Sequence, residues 1–414
     1  MSAALHRSVA SLSIPNYRRF FVGQLVSVSG KWVQNVAAVW LVLHLSGSGT
    51  AVGLTTAAEF LPMLLLGAWG GLLADRLPKR PLLLVTQTLQ VISPMALFVV
   101  VAAGVAQTWM VIASVAVSGI VTAIDNPARQ SFVTEIVGAD RVVNAVSLNS
   151  VLVHSSRILG PAIAAGVIAI AGVGPCFLLN ALSYVAMIIA LWRMDPRKLH
   201  PAPPAKRERG QLREAVRYVA RTPRLRLPLL MMAVIGTFSF NFSTVLPLLA
   251  KFTFHGTATT LALLTSALAV GSIVGAFTTG ARRHIDGRFL ISSAFAFGGL
   301  TAIAALTPTF GLMLIALALT GMASVSFSAG TNSLTQLAAD PEMRGRVMAL
   351  YGIVFLGSTP IGAPVAGWVS GVIDPRAGLA LGAAAALLTA LIAWGAAHRD
   401  APRTSDPATS PARA

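Results

Sequence analysis

Gly71-Leu-Leu-Ala-Asp75-Arg76-Leu-Pro78-Lys79-Arg80 separates two long apolar runs, at about residues 51–73 and 82–104. Four of these ten residues carry a formal charge, whereas the flanking runs contain a single ionisable residue, Glu59. An apolar helix of about 20 residues crosses the hydrocarbon core of a bilayer. The segment is therefore predicted to be a charged loop between two membrane-spanning helices.

The same pattern of apolar run and polar loop recurs along all 414 residues. Hydrophobic residues make up 55% of the chain and charged residues 11%, against roughly a quarter charged in soluble domains. Runs of this length predict helices rather than a barrel, because a helix satisfies its backbone polar groups internally. We predict an all-α integral membrane protein with twelve spans, at about residues 20–43, 51–73, 82–104, 108–125, 143–171, 175–193, 226–250, 258–280, 288–307, 310–330, 347–372 and 377–397.

The basic residues are distributed very unevenly between the loops of this arrangement. Of 31 Lys and Arg residues, 27 fall on one side of the membrane, whereas Lys251 and Arg376 fall on the other and Lys31 and Arg157 lie within spans. Cytoplasmic loops are rich in Lys and Arg, so both termini are predicted to be cytoplasmic. The net charge of +17 is then a topology signal, and we expect no nucleic-acid partner.

The two halves of the chain resemble each other at a spacing of about 205 residues. Ser48-Gly-Thr-Ala51 after span 1 corresponds to His255-Gly-Thr-Ala258 after span 7. Two six-helix bundles related by duplication are typical of secondary transporters, which bind substrate near mid-membrane between the halves. The predicted units are an N-terminal bundle at 1–193, a cytoplasmic basic linker at 194–225, a C-terminal bundle at 226–397 and a cytoplasmic tail at 398–414.

The linker is predicted to contain a short amphipathic helix over 211–221, after a proline-rich segment at 201–210. Its apolar and basic residues fall on different faces. They are Leu212, Val216 and Val219 on one face, and Arg213, Arg217 and Arg221 on the other. Such a helix suits the surface of the anionic inner leaflet. A solvated helix within a tether explains the pattern equally well, so both interpretations stay open.

The charged loop after span 2 resembles the signature loop of the major facilitator superfamily, a glycine with an aspartate four residues later and then a basic cluster. Gly71 and Asp75 match this pattern, although Pro78 stands where the family usually has glycine. In span 5, Gly160-Pro161 followed by Gly166 is similar to the antiporter motif of drug and metabolite exporters in that superfamily. The resemblance implies the major facilitator fold and favours export.

Over about residues 10–395, the chain also resembles one bacterial branch of the superfamily, the enterobactin-exporter-like permeases. This resemblance implies a cargo of siderophores or drugs. The segments that carry it are Asn16-Tyr-Arg-Arg-Phe-Phe-Val-Gly-Gln24, Asp125-Asn-Pro-Ala-Arg129-Gln-Ser-Phe, Cys176-Phe-Leu-Leu-Asn-Ala, Arg344-Gly-Arg-Val-Met-Ala-Leu-Tyr351 and Gly357-Ser-Thr-Pro-Ile-Gly-Ala-Pro364.

A cytoplasmic gate follows from the signature loop. Asp75 can lie at the N-terminus of span 11, where free backbone N–H groups and the helix dipole favour an anion. One cation of the loop is then expected to pair with Asp125, placed at the cytoplasmic end of span 4. The alternative is that these charges only set topology. The residues assigned to the gate are Gly71, Asp75, Arg76, Lys79, Arg80, Asp125 and Arg129.

Three ionisable residues are predicted within spans: Lys31 in span 1, Glu59 in span 2 and Arg157 in span 5. A charge at mid-bilayer costs at least roughly 2.5 kcal/mol, so it normally faces a partner or a cavity. Lys31 and Glu59 differ in depth by only about 6 Å at ~1.5 Å per residue, and a lysine side chain can bridge that gap. We expect an ion pair that either lines the translocation pathway or fixes span 1 against span 2.

Further polar residues accompany these charges. Gln34 and Asn35 are predicted to share a face of span 1 with Gln24 and Lys31, and so to form the wall of a cavity. In span 7, the segment from Phe238 to Asn241 holds aromatic and amide groups that could contact a large substrate or could simply pack helices. Both interpretations of span 7 stay open.

These features predict a secondary active exporter of amphiphilic small molecules that is coupled to protons. Glu59 is the coupling candidate, because burial disfavours its ionised form and Lys31 favours it. An importer of the same fold is the alternative within transport, and a membrane enzyme or a non-transporting sensor is the alternative outside it. The seven histidines show no metal-ligand spacing, and no phosphate-binding loop is present. We therefore expect no metal, no cofactor and no enzyme activity, and a monomer in the bacterial inner membrane.

Overall fold

A computed structural model describes residues 10–200, 211–282 and 284–399 of the chain, and these residues form helices joined by short turns. Among these described residues, twelve helical segments are long and apolar enough to cross a membrane. The predicted all-α fold and the number of spans are therefore confirmed. The proline-rich segment at 201–210 and the tail beyond 399 lie outside the described residues.

The first bundle contains six helices. They are α1 (Pro15–Ser46), α2 (Gly49–Arg76), α3 (Lys79–Ala102), α4 (Thr108–Val137), α5 (Val142–Ala171) and α6 (Gly174–Trp192). Helix α2 begins where the Ser48 side chain accepts a hydrogen bond from the backbone of Ala51, as expected for an N-cap. Helix α1 is followed by Gly47 as its C-cap, in a left-handed conformation (φ of 62°) that glycine adopts at little steric cost.

The linker helix α7 (Gln211–Arg221) precedes the second bundle, as the amphipathic pattern predicts. Span 7 combines two short helices with a π turn, and span 11 combines two helices. The elements of the second bundle are α8 (Pro223–Ser239), α9 (Phe242–Leu248) with the π turn Leu249–Thr253, α10 (Ala258–Gly280), α11 (Gly287–Leu306), α12 (Phe310–Ala338), α13 (Arg344–Gly357), α14 (Thr359–Val372) and α15 (Pro375–Arg399).

Span 4 differs from its predicted bounds of 108–125, because α4 continues to Val137. Asp125 therefore does not lie at the end of this span but about three helical turns inside it, and Arg129 belongs to the helix rather than to a loop. The run of polar residues after Ile124 resembles a loop in sequence. It remains helical because its side chains pair with one another and with α3 inside the bundle.

The two bundles share a hydrophobic core in only one half of the membrane. One buried cluster joins the later part of α1, including Val33 and Leu41, to residues of the second bundle such as Leu248 and Leu264. A separate cluster around Phe132 fills the other half of the first bundle and contains no residue of the second. That half carries the basic loops and is called here the basic face; the other end is called the opposite face.

Contacts between the bundles at the opposite face are close. Gly49 and Gly53 of α2 approach the backbone of α14 so tightly that a Cβ at either position would meet it. Lys251 Nζ donates a hydrogen bond to the carbonyl of Leu43 at 2.9 Å, and Thr244 Oγ1 lies 3.2 Å from Thr56 Oγ1. The bundles are thus in close contact at the opposite face, whereas the buried cluster near the basic face consists, among the described residues, of the first bundle alone.

Replacing Gly53 with leucine is expected to open the opposite face, because the new side chain would collide with the backbone at Ala363 and Pro364. The measurement is the rate at which a thiol reagent labels a cysteine placed at the buried Thr244 position, in a Cys176→Ala background. This rate should rise at least about tenfold, because ~1.4 kcal/mol less free energy would hold the two bundles together at this face. The control is Gly67→Leu on the same helix, where the added Cβ meets open space. Equal labelling rates in the two variants would contradict close packing of α2 against α14 at the opposite face.

Candidate functional site

The predicted pair of intramembrane charges is present. Lys31 Nζ lies 3.6 Å from Glu59 Oε1, and the two side chains are 30% and 16% exposed. Asn35 Nδ2 donates a hydrogen bond to the same Glu59 oxygen at 3.1 Å, and Lys31 Nζ lies 3.4 Å from Thr122 Oγ1. The carboxyl group therefore has an ion-pair partner and a hydrogen-bond donor from α1, one turn apart, which link α1 to α2.

Lys31 also lines a polar cavity of about 300 Å³ within the first bundle. Helices α1, α3, α4, α5 and α6 form its walls. Gln24 Nε2 donates to Asn149 Oδ1 at 2.7 Å across it, and Gln90 Nε2 donates to Thr122 Oγ1 at 2.9 Å. The cavity extends from Lys31 towards Asp125 and Arg129, and its further polar lining includes Gln87, Asn126, Gln130 and Tyr184.

Asp125 is a second buried carboxylate in the membrane and is only 4% exposed. Arg129 donates to Asp125 Oδ2 from Nε at 3.0 Å and from Nη2 at 2.6 Å. Thr86 and Gln87 of α3 donate to Asp125 Oδ1 at 2.6 and 2.8 Å. The prediction that Glu59 is the only carboxylate deep within a span is therefore wrong, because the extended α4 brings Asp125 inside.

The predicted pairing of the loop cations with Asp125 is also absent from this conformation. Lys79 Nζ instead lies 3.3 Å from Glu135 Oε1 of α4, with both side chains largely buried. Arg80 donates to the carbonyls of Leu191 and Trp192 at the end of α6. Sequence reasoning missed Glu135, although it stands ten residues after Asp125, on the same segment.

The remaining gate residues lie at the basic end of α2. Arg76 is exposed, and Asp75 occupies the last turn of the helix, where it is half-buried. Gly71 is buried. Their part in a gate stays a prediction.

Gln34 does not share the face of Lys31 and Asn35. Its side-chain oxygen accepts a hydrogen bond from Asn180 Nδ2 of α6, and Gln34 is 4% exposed. At 100° per residue, Gln34 lies about 60° to one side of Lys31 and Asn35 about 40° to the other, and Gln34 is on the side that faces α6. It joins α1 to α6 and does not line the cavity.

Arg157 lies apart from the Lys31–Glu59 pair. Its guanidinium stands 5.2 Å from the centre of the Trp32 ring, a cation–π geometry. Gly160 and buried Pro161 follow on α5, and Gly160 packs against Trp32 as well, whereas a Cβ at Gly166 would meet open space. The antiporter-like segment thus contacts α1 through Trp32, a residue that sequence reasoning did not select.

The aromatic residues of span 7 support the packing interpretation. Phe240 lies 5.2 Å from Phe297 and 5.9 Å from Phe355 between ring centres, and Tyr351 stacks on Phe355 at 6.0 Å. Phe238 takes part in none of these ring pairs. This cluster is centred on Phe240, in the break of span 7.

Asn241 occupies the same break and is 4% exposed. Its Nδ2 donates to the carbonyl of Thr237 at 2.7 Å, which satisfies a carbonyl freed where α8 ends. A Cβ at Gly362 of α14 would meet this amide. Asn241 therefore stabilises the helix break, and a direct role with substrate stays a prediction.

A family model described as "Transmembrane secretion effector" matches residues 6–409. The chain belongs to this family of the major facilitator superfamily. Three curated relatives are similar. The staphyloferrin A transporter of Staphylococcus aureus is 25% identical over 62% of this chain and 64% of its own length. Macrolide efflux protein A of Streptococcus pyogenes is 22% identical over 83% and 86%, and the enterobactin exporter EntS of Citrobacter koseri is 24% identical over 88% and 87%.

A solved structure agrees on the fold. The nucleoside transporter NupG superposes with a TM-score of 0.73 at 13% identity, covering 92% of this chain and 98% of NupG. Family and fold together confirm the predicted major facilitator architecture. The protein is a multi-pass membrane transporter and not an enzyme.

Proposed function

We propose that this transporter exports amphiphilic small molecules, siderophores or drugs, in exchange for protons. The Lys31–Glu59 ion pair beside a polar cavity carries the proposal. A structural ion pair needs no cavity, whereas a coupling site needs access for a proton. The names of three relatives, which transport a siderophore or expel an antibiotic or a siderophore, support this class of cargo and the outward direction.

The coupling step is assigned to Glu59. In the present arrangement Lys31 Nζ lies 3.6 Å from its Oε1 atom, and Asn35 donates a hydrogen bond to the same oxygen. Movement of α1 relative to α2 would separate Lys31 and Asn35 from this carboxyl group. Alternation between the two arrangements would let Glu59 take up a proton on one side and release it on the other.

The gate is assigned to the charged residues at the basic end of the first bundle. Here Lys79 and Arg129 are paired with carboxylates of α4. Closing this face brings α2 towards span 11, where Asp75 can meet the free N–H groups of a helix start. These charge pairs would then rearrange as the opposite face opens.

The basic face is assigned to the cytoplasm, because Lys and Arg are retained on that side of the membrane. With this assignment we propose that both termini are cytoplasmic and that the protein lies in the bacterial plasma membrane. Asp125 and Glu135 are each matched by a cation, Arg129 and Lys79. Lys31 on α1 and Arg157 on α5 then remain against Glu59 alone, which favours an anionic or zwitterionic cargo.

The test is accumulation of fluorescent drugs and siderophores in cells that express the protein. Export predicts less accumulation than in cells without it, and a protonophore should abolish the difference. Greater accumulation would instead identify an importer. A difference that survives the protonophore would contradict proton coupling and leave the direction of transport established.

A further inference from the structure

The linker helix α7 presents three faces with different surroundings. Ala215 is fully buried and Val219 is 8% exposed, because this face packs on α13 of the second bundle. Arg213, Arg217 and Arg221 recur every fourth residue and are all exposed. Beside the arginines, Val216 leaves 49% of its surface exposed. The helix therefore has a docked face, an arginine row and an exposed apolar flank at Val216.

Two contacts fix how α7 is rotated about its own axis. Glu214 forms an ion pair with Arg346 in the first turn of α13. On the next turn, Tyr218 Oη accepts a hydrogen bond from the backbone N–H of Asp340 at 3.2 Å. At 100° per residue, both contacts lie on the flank between the docked face and the arginine row. The arginine row is therefore centred on the side of the helix opposite to the docked face.

The same contacts fix the depth of α7 relative to the membrane. Arg346 lies where the span Arg344–Val372 begins, and Thr222 alone separates α7 from the span that begins at Pro223. The helix is thus held at the level where two spans enter the bilayer. A helix at that level can place an apolar flank in lipid and an arginine row among the headgroups.

The charge around α7 is strongly positive. Arg224 and Arg226 continue the exposed basic surface past the end of the helix, and Arg344 adds to it at the start of α13. Glu214 is already paired with Arg346, and the exposed acidic groups of the neighbouring turn are Asp340 and Glu342. The surplus of cations matches a negatively charged membrane surface, which attracts juxtamembrane basic clusters.

We propose that the arginine row of α7 binds the headgroups of anionic phospholipids while the Val216 flank enters the interface. A guanidinium forms two parallel hydrogen bonds with a phosphate, so three arginines on successive turns can each hold one headgroup. This proposal needs only the membrane location of the chain, so it stands whether or not the transporter exports its cargo.

Native mass spectrometry of the purified full-length protein tests this surface with phosphatidylglycerol and phosphatidylcholine. The wild type should retain phosphatidylglycerol preferentially. Substituting glutamine at 213, 217 and 221 together should weaken its retention at least about tenfold, since each basic residue near a membrane surface contributes about fivefold. Lysine at the same three positions should preserve most of the preference. The control replaces Arg18, Arg197 and Arg288, which are exposed and scattered over the basic face, with glutamine.

Three outcomes would overturn the proposal. The wild type could show no preference for phosphatidylglycerol, or the control variant could lose as much binding as the α7 variant. Inorganic phosphate, or a soluble polyglutamate peptide, could displace the lipid at equal concentration. In that case the arginines would form a site for small anions or for an acidic protein partner rather than a lipid surface.

Discussion

Replacing Glu59 with glutamine is expected to lower the rate of proton-driven transport at least tenfold, close to the level measured without the protein. Glutamine keeps the size of the side chain and can still accept the hydrogen bond from Asn35, but it cannot carry a proton on and off. Initial transport rates in proteoliposomes with an imposed pH gradient measure the effect, using a fluorescent compound selected by the accumulation assay.

A matched control separates coupling from folding. Glu342 is exposed on the same face of the chain as the gate, and Glu342→Gln removes the same charge without touching the ion pair. Both variants should elute as the wild type does in size-exclusion chromatography. Full transport by Glu59→Gln on a pH gradient would contradict the assignment of Glu59 as the proton-coupling residue. Lys31 and Glu59 would then form a structural ion pair.

Replacing Arg129 with glutamine is expected to destabilise the fold by about 3–5 kcal/mol, the cost of leaving one partner of a buried ion pair alone. Asp125 would retain only Thr86 and Gln87 as donors, in a site that is 4% exposed. Unfolding of the purified protein in mixed detergent micelles measures the loss. Combining Arg129→Gln with Asp125→Asn should recover most of it, because no uncompensated charge remains.

The ion pair between Arg346 and Glu214 provides the comparison for this experiment. Its carboxylate is 54% exposed, so Arg346→Gln should cost at most about 1 kcal/mol, as for surface pairs. Equal losses for Arg129→Gln and Arg346→Gln would show that burial of Asp125 does not govern its energetics. The same conclusion would follow if Arg129→Gln alone and Arg129→Gln combined with Asp125→Asn were equally stable.

The sequence by itself determined the number of spans and the pairing of Lys31 with Glu59. Span count follows from local composition, because any run of about 20 apolar residues meets the length of the hydrocarbon core. The ion pair follows from the rise of a helix, which places two charges at matching depth on consecutive spans. Both depend on neighbouring segments of the chain, so no long-range information is needed.

Only the tertiary structure decided where the polar residues of α4 lie and what they contact. Asp125 and Arg129 resemble a loop in sequence, yet α3 supplies Thr86 and Gln87 and keeps the helix intact to Val137. Lys79 likewise finds Glu135, 56 positions away, rather than Asp125. Which carboxylate a given cation meets depends on how helices pack across the bundle, because several partners lie within reach of each long side chain. That choice is made by packing and not by any local pattern.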